Sequence, residues 1–180
     1  MAVPGGPLTV GILGGMGPMA TVEAFRRIRL GTPGRIDQDH LHVIVDSDSS
    51  IIDRTDALVD GGPSPLPALS ASAERLTVAG ADILCMPCNT AHAFFGPLQA
   101  GVPVPIVHML DETAAVVASR GLPSLRLLAT AGTVASGVYQ DAFLRRNLAV
   151  AVPDVAGQRQ ITEGIAFLKA GGLGVFEWPP

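Results

Sequence analysis

The length, composition and charge of this chain argue against several classes of protein. Its 180 residues are 48% hydrophobic, which suffices for a sizeable core and for one large or two small domains rather than a disordered chain. The formal net charge is -4 and Lys and Arg form no cluster, so nucleic acid and anionic membrane surfaces are disfavoured as partners.

Two further features of the sequence concern the location of the protein in the cell. No apolar stretch approaches the roughly 20 residues that span a bilayer, and the N-terminal residues lack the basic region of a signal peptide. The chain has 2 cysteines, Cys85 and Cys88, which are closely spaced. We therefore expect a cytoplasmic protein in a reducing environment.

Predicted strands and helices alternate along the chain. The predicted strands are residues 8–13, 41–45, 82–86, 104–107, 125–129 and 148–152. The predicted helices are residues 18–30, 67–79, 89–98, 111–119, 134–146 and 158–170. This alternation predicts an α/β fold with a mainly parallel sheet, in which ligands bind beyond the carboxyl ends of the strands.

Three of the strand-to-helix turns each allow two interpretations. The glycine-rich GILGGMGPMAT (residues 11–21) is either an anion-binding turn or a tight turn without a ligand, and it matches neither G-x-G-x-x-G nor the P-loop. Arg54 in IIDRT either binds a carboxylate or is a surface residue paired with Asp53 or Asp56. In TAGTVASG, Thr130 and Thr133 either hold a second carboxylate, or Thr133 is an ordinary helix N-cap.

The fourth turn, CMPCNTAH, contains both cysteines and allows three interpretations. A C-x-x-C pair is typical of thiol–disulfide oxidoreductases. A zinc site would need two more ligands, and it is disfavoured because there is no second C-x-x-C and His92 is a weak candidate. In the third interpretation Cys85 is a small apolar residue within a strand. Cys88 then follows Pro87 at the mouth of a helix, where the helix dipole favours the thiolate. This asymmetry favours one reactive thiol, Cys88.

Several segments together resemble the aspartate/glutamate racemase family, and most closely its aspartate racemases. The matching segments are GILGGMGPMAT, DQDH, DRT, GADILCMPCNTAHAF, LLATAGTVASGVY and GIAFLKAG, in family order. The resemblance implies two Rossmann-like parallel-sheet lobes related by pseudo-symmetry, with a substrate cleft between them and often a homodimer. By position we expect residues 1–110 to form the first lobe, with Cys88, and residues 111–180 to form a partial second lobe.

The resemblance also implies a mechanism without pyridoxal phosphate or metal. One cysteine thiolate removes the Cα proton of a small acidic amino acid, and a second cysteine on the opposite face returns a proton. Positions that match the family's motifs imply that Cys88 is the first catalytic thiol, that Arg54 holds a substrate carboxylate, and that Lys169 binds substrate from the other lobe. The expected substrate contacts as a set are Arg54, Asn89, Thr90, Ala91, Lys169, Met16, Thr130 and Thr133.

The sequence departs from the family pattern at its C-terminal end and after the second strand. The family's second cysteine lies in a G-C-T-E turn after the K-A-G motif, but this sequence ends at GGLGVFEWPP. Cys85 is too near Cys88 to act from the opposite face. Asp46 and Asp48 stand where the family's loop is usually less acidic, and we expect them to repel an acidic substrate.

These departures leave three explanations open. The favoured one is a truncated, inactive relative whose exposed core is covered by another subunit, a need that Phe176 and Trp178 reinforce. The second is a one-thiol enzyme that exchanges or decarboxylates rather than racemises; some relatives of this fold decarboxylate malonates with a single cysteine. In the third, Lys169, Thr133 or a partner chain supplies the second acid. A non-catalytic carboxylate-binding protein and a C-x-x-C oxidoreductase are the alternative functions.

Overall fold

The computed structural model describes residues 8–122 and 125–171, in which strands and helices alternate. The strands are β1 (Val10–Gly14), β2 (Val43–Ser47), β3 (Ile83–Cys85), β4 (Ile106–Val107), β5 (Leu125–Arg126) and β6 (Val150–Ala151). The helices are α1 (Pro18–Gly31), α2 (Arg54–Val59), α3 (Leu66–Val78), α4 (Phe95–Ala100), α5 (Met109–Ser119), α6 (Ala131–Ser136), α7 (Val138–Leu144) and α8 (Val155–Lys169). This order confirms the predicted α/β fold. Phe176 and Trp178 lie outside the described residues.

The chain forms two compact units that interleave along the sequence. The first unit comprises the described residues up to Ile52, Pro65–Cys88 and Phe94–Val107. The second comprises Asp53–Ser64, Asn89–Ala93 and the described residues from His108 onward. The predicted division at residue 110 stays a prediction.

The first unit is built on a four-stranded parallel sheet in the order β2-β1-β3-β4. Strand β1 is central and buried, because its run VGILG is apolar on both faces, as expected of a strand covered by helices on both sides. Ile12 pairs in register with Val45 of β2 and with Cys85 of β3. Helix α3 buries Leu69 and Leu76, which are 0% and 1% exposed.

The second unit has a two-stranded parallel sheet formed by β5 and β6. Its core is a cluster of buried side chains from α5 and α7: Leu110, Ala114, Ala142 and Phe143. The small second sheet is what the family resemblance leads us to expect from the two predicted strands of this region.

Two predicted helices are each divided in the structure, for different reasons. In place of one helix over residues 89–98, a 3₁₀ segment (Thr90–Phe94) precedes α4. Pro97 has no N–H to donate to the carbonyl of Ala93, but it is tolerated in the first turn of a new helix. The helix predicted over 134–146 is divided at Gly137, whose φ of 70° ends α6 in the left-handed conformation before α7 begins.

Helix α2 was not predicted from the sequence. Its N-cap is Asp53, whose carboxylate accepts hydrogen bonds from the backbone N–H groups of Thr55 and Asp56. The helix is only 6 residues long, so it lacks the apolar periodicity by which longer helices are predicted. Among the described residues, no helix is both long and apolar enough to cross a membrane.

Candidate functional site

The strand order of the first unit marks one edge of its sheet as the place for a ligand. From β1 the chain moves outward to β2 and then returns to the other side of β1 to form β3. In open parallel sheets ligands bind at such a switch point, beyond the carboxyl ends of the two inner strands. The turns that carry Met16 and Cys88 directly follow β1 and β3. Both residues therefore lie in the turns at the switch point of the sheet. Met16 is 6% exposed and Cys88 is 7% exposed.

The two cysteines occupy different environments. Cys85 lies in β3, as predicted, although the strand ends at this residue rather than at Met86, and burial raises the pKa of its thiol to about 11. Cys88 lies beyond the strand, in a tight turn around Pro87 that is closed by a hydrogen bond from its own N–H to the carbonyl of Met86 (2.8 Å). Both cysteines are free thiols. The structure thus places one thiol within the sheet and the other in the turn at its carboxyl edge.

Close packing requires one glycine of the turn after β1, Gly15. Gly15 has a φ of 90°, and a Cβ at this position would overlap the backbone of Asp48. Its N–H donates to the hydroxyl of Thr21 (2.8 Å), a buried residue of α1. Because that N–H is already bonded and the glycine is needed for packing, the interpretation as a tight turn accounts for Gly15 without a bound anion.

The carboxylates that follow β2 are balanced by an arginine that sequence analysis did not consider. Asp46 accepts hydrogen bonds from the guanidinium of Arg75 (2.7 Å) and from the hydroxyl of Ser72 (2.6 Å). Asp48 accepts from Arg75 (3.0 Å) and from Ser50, and these hydrogen bonds, chiefly those of Ser50, hold its pKa below the ordinary value. The expected repulsion of an acidic substrate is therefore reduced by a paired positive charge.

In the second unit, two of the predicted substrate-binding cations lie near one carboxylate. Arg54 is the first residue of α2 and is only 7% exposed, so it is not at the surface, although it lies near Asp53 as the alternative interpretation expected. Lys169 ends α8, and its Nζ lies 4.0 Å from Oδ2 of Asp53. Burial alone would raise the pKa of Asp53, but the N–H of Thr55 and the charges of Arg54 and Lys169 lower it. Asp53 is therefore a carboxylate beside two cations.

Three predicted site residues form a closed set of hydroxyls, which we call the threonine triangle: Thr90, Thr130 and Thr133. The hydroxyl oxygen of Thr90 lies 2.8 Å from that of Thr130 and 2.9 Å from that of Thr133. The hydroxyl oxygens of Thr130 and Thr133 are 2.9 Å apart. The N-cap of α6 is Thr130, which accepts from the N–H of Thr133 (3.2 Å), so the prediction of a cap by Thr133 was wrong. Thr133 is 0% exposed, and its role as a substrate contact stays a prediction.

Close packing around Gly132 joins the threonine triangle to α2. A Cβ on Gly132 would lie 2.9 Å from Cα of Thr55 and 3.1 Å from Cγ2 of Thr90. Only glycine allows these backbones to approach so closely. The segment that begins with Arg54 and the segment that contains Thr90 therefore meet at one point of the second unit.

Asn89 and Ala91 flank Thr90 and differ in what they offer a ligand. Ala91 is 0% exposed. Asn89 is exposed, and its Oδ1 accepts a hydrogen bond from the hydroxyl of Tyr139 in α7 (2.6 Å). Sequence analysis did not assign a role to Tyr139, although it is the only tyrosine in a chain with 4% aromatic residues. Its partner lies 50 positions away, so spacing alone does not identify the contact.

Metal ligation finds no support in the described residues, where no group of three or more His, Cys, Asp or Glu side chains could hold a metal ion. The predicted site residues instead supply a thiol, an amide, hydroxyls and cations. These are groups that bind and orient carboxylates and that transfer protons.

Comparison with a family model gives a match over most of the chain. The model described as Asp/Glu/Hydantoin racemase matches residues 13–174. Among curated proteins, the broad specificity amino-acid racemase RacX of Bacillus subtilis (strain 168) is 26% identical over 173 residues, which are 89% of this chain and 70% of the relative.

Solved structures include similar folds. The aspartate racemase of Picrophilus torridus is 33% identical with a TM-score of 0.81, covering 91% of this chain and 68% of that one. An aspartate racemase homologue from Pyrococcus horikoshii OT3 is 24% identical with a TM-score of 0.71, covering 88% of this chain and 70% of that one. The second likeness, at this identity, concerns the fold alone.

Proposed function

Because the chain belongs to the Asp/Glu/hydantoin racemase family, we propose that it labilises the Cα–H bond of a free acidic amino acid, with aspartate as the first candidate. The observation that carries this proposal is that Arg54 and Lys169 both lie near Asp53 in the unit that also holds Asn89 and Thr90. Two cations beside one carboxylate leave one positive charge unbalanced, which favours the binding of an anionic amino acid.

In the proposed reaction, the thiolate of Cys88 removes the Cα proton. The C–H electron pair moves into the α-carboxylate, giving an enediolate with two negative charges on oxygen. Arg54, Lys169 and the amide of Asn89 stabilise that charge through hydrogen bonds and electrostatic attraction. A peptide bond joins Cys88 to Asn89, so the Cα atoms of the two residues are about 3.8 Å apart.

Stereochemistry depends on which group returns the proton. Return from Cys88, after the thiol proton has exchanged with solvent, restores the original enantiomer with solvent hydrogen at Cα, whereas inversion needs an acid on the opposite face. Cys85 does not suit that role, because it lies in β3 and its pKa is raised to about 11. We propose that these 180 residues alone catalyse Cα exchange faster than racemisation.

The same features oppose the alternative in which Cys85 and Cys88 form a redox pair. Thiol–disulfide exchange proceeds through a thiolate, and the raised pKa of Cys85 disfavours its thiolate at neutral pH. The reaction proposed here needs no electron sink beyond the donors named above.

The proposal is tested by incubating L-aspartate with the protein in heavy water and following both deuterium at Cα and the enantiomer ratio. We expect deuterium incorporation that clearly precedes formation of D-aspartate. Equal rates would show that a second acid is present and that these 180 residues racemise aspartate. Loss of carboxylate carbon as carbon dioxide from a substituted malonate, without exchange of aspartate, would support the decarboxylase alternative. Aspartate binding without any exchange would contradict a catalytic role.

A further inference from the structure

The hydrogen bond between Tyr139 and Asn89 determines which end of the Asn89 amide is available. A side-chain amide has an acceptor end and a donor end, and a half-turn about its last torsion exchanges them. The hydroxyl of Tyr139 donates to Oδ1 at 2.6 Å. Within the described residues no acceptor is paired with Nδ2 of this exposed side chain. The donor end is therefore the end that is left for a ligand.

We propose that Tyr139 is a positioning residue that holds the Asn89 amide with its NH₂ group toward the substrate carboxylate. In the opposite orientation the amide oxygen would face the carboxylate and repel it. This inference rests on the proposed function, since it assumes that Asn89 contacts a carboxylate.

The surroundings of Tyr139 suit it to this task. Its ring packs against the core cluster of the second unit, with its centroid 5.9 Å from that of Phe143. The ring is therefore fixed, and the hydroxyl has a defined position. Burial raises the pKa of the phenol above its ordinary value, so the hydroxyl keeps its proton and remains a donor throughout the neutral and mildly alkaline range.

The test compares the wild-type chain with Tyr139→Phe, which removes the donor and keeps the packed ring. The first readout is the ¹H–¹⁵N heteronuclear Overhauser effect of the Asn89 side-chain amide, assigned by its loss in Asn89→Ala. We expect a rigid amide in the wild type and a mobile one in Tyr139→Phe. An equally rigid amide in both proteins would overturn the proposal.

The second readout is the Kd for L-aspartate from calorimetry, in a double-mutant cycle with Asn89→Ala. Loss of one such hydrogen bond predicts Kd roughly 5- to 10-fold higher in Tyr139→Phe. In the Asn89→Ala background the same substitution should change Kd less than about twofold, because its target is absent. An equal loss in both backgrounds would show a merely structural role and overturn the proposal.

A matched control is Ser119→Ala, which removes one hydrogen bond, from the serine hydroxyl to the carbonyl of Val116 (2.7 Å) at the end of α5. It should change neither readout. If Tyr139→Phe mobilises the amide but neither protein binds aspartate, the proposed function fails while the ordering of the amide stands. If aspartate binds equally to both proteins, the proposed function survives and the role of Tyr139 fails.

Discussion

At the scale of single residues, the contrast between Cys85 and Cys88 carries most of the chemistry. Their separation of three positions suggests a pair, but Cys85 ends a strand and Cys88 lies in the turn beyond it. This difference was predictable from the sequence, because an apolar run ends between them. The partner of Asn89 was not predictable, since Tyr139 approaches it only through the packing of α7.

The raised pKa of Cys85 predicts a loss of stability in alkali. The pKa of the Cys85 thiol is about 11 in the folded protein, whereas that of a thiol in an unfolded chain is about 8.5. The contribution of Cys85 to stability is fully present below the unfolded-state pKa and is lost as the pH rises through the folded-state pKa. We expect the free energy of unfolding to fall by roughly 3 kcal/mol from this group over that range.

The measurement is urea unfolding at several pH values for the wild type and for Cys85→Ala. The alkaline decline should be smaller in Cys85→Ala, while the decline due to other groups, such as Tyr139, persists in both. Parallel curves for the two proteins would contradict the assignment.

At the scale of elements, the N-cap of α2 and the contact at Gly132 set the position of the cationic groups. Asp53 both caps α2 and attracts Lys169, whereas Gly132 lets α6 pack on the first turn of α2. Neither feature follows from periodicity, because α2 and α6 are 6 residues each. By contrast, the longer helices α1, α3 and α8 were predicted to within a few residues at each end.

Substitution of Asp53 separates its capping role from its charge. Asn is about as good an N-cap as Asp, whereas Ala costs about 1 kcal/mol. We therefore expect Asp53→Ala to lower the free energy of unfolding by about 1 kcal/mol at neutral pH and Asp53→Asn to lower it less. Chemical denaturation of the three proteins measures this.

The pH dependence of the same variants tests the lowered pKa of Asp53. A carboxylate whose pKa is lowered by folding stabilises the folded protein at pH values above its unfolded-state pKa of about 3.9. This stabilisation is lost as the pH falls through the lower folded-state pKa. The advantage of the wild type over Asp53→Asn should therefore diminish only in strongly acidic solution. A difference between them that is constant with pH would refute the charge contribution.

A pair of glycine substitutions tests the contact between α2 and α6. Gly132→Ala places a methyl group 2.9 Å from the backbone of Thr55, and we expect a loss of roughly 1–3 kcal/mol in stability. Gly96→Ala in α4 meets no atom within 4 Å, and there alanine should stabilise by up to about 1 kcal/mol. Thermal unfolding measures both effects as changes in Tm. If Gly132→Ala and Gly96→Ala shift Tm in the same direction, the packing described here is contradicted.

At the scale of the whole molecule, the alternation of strands and helices allowed the α/β fold and the parallel sheets to be predicted. Buried parallel strands are continuous apolar runs, and β1 and β3 are of this kind. The interleaving of the two units was not predictable, because Asp53–Ser64 and Asn89–Ala93 pack with segments distant in sequence. The ion pair between Lys169 and Asp53 is a consequence of that interleaving.

The claim on which the account depends most is that Cys88, and not Cys85, is the base. The direct test is the initial rate of Cα deuterium exchange of L-aspartate in heavy water for Cys88→Ser and Cys85→Ala, each compared with the wild type. We predict a loss of at least about 100-fold in Cys88→Ser and a change of less than about twofold in Cys85→Ala, which removes only a thiol held protonated by burial. Exchange that survives in Cys88→Ser, or that is lost in Cys85→Ala while the protein remains folded, would contradict the account.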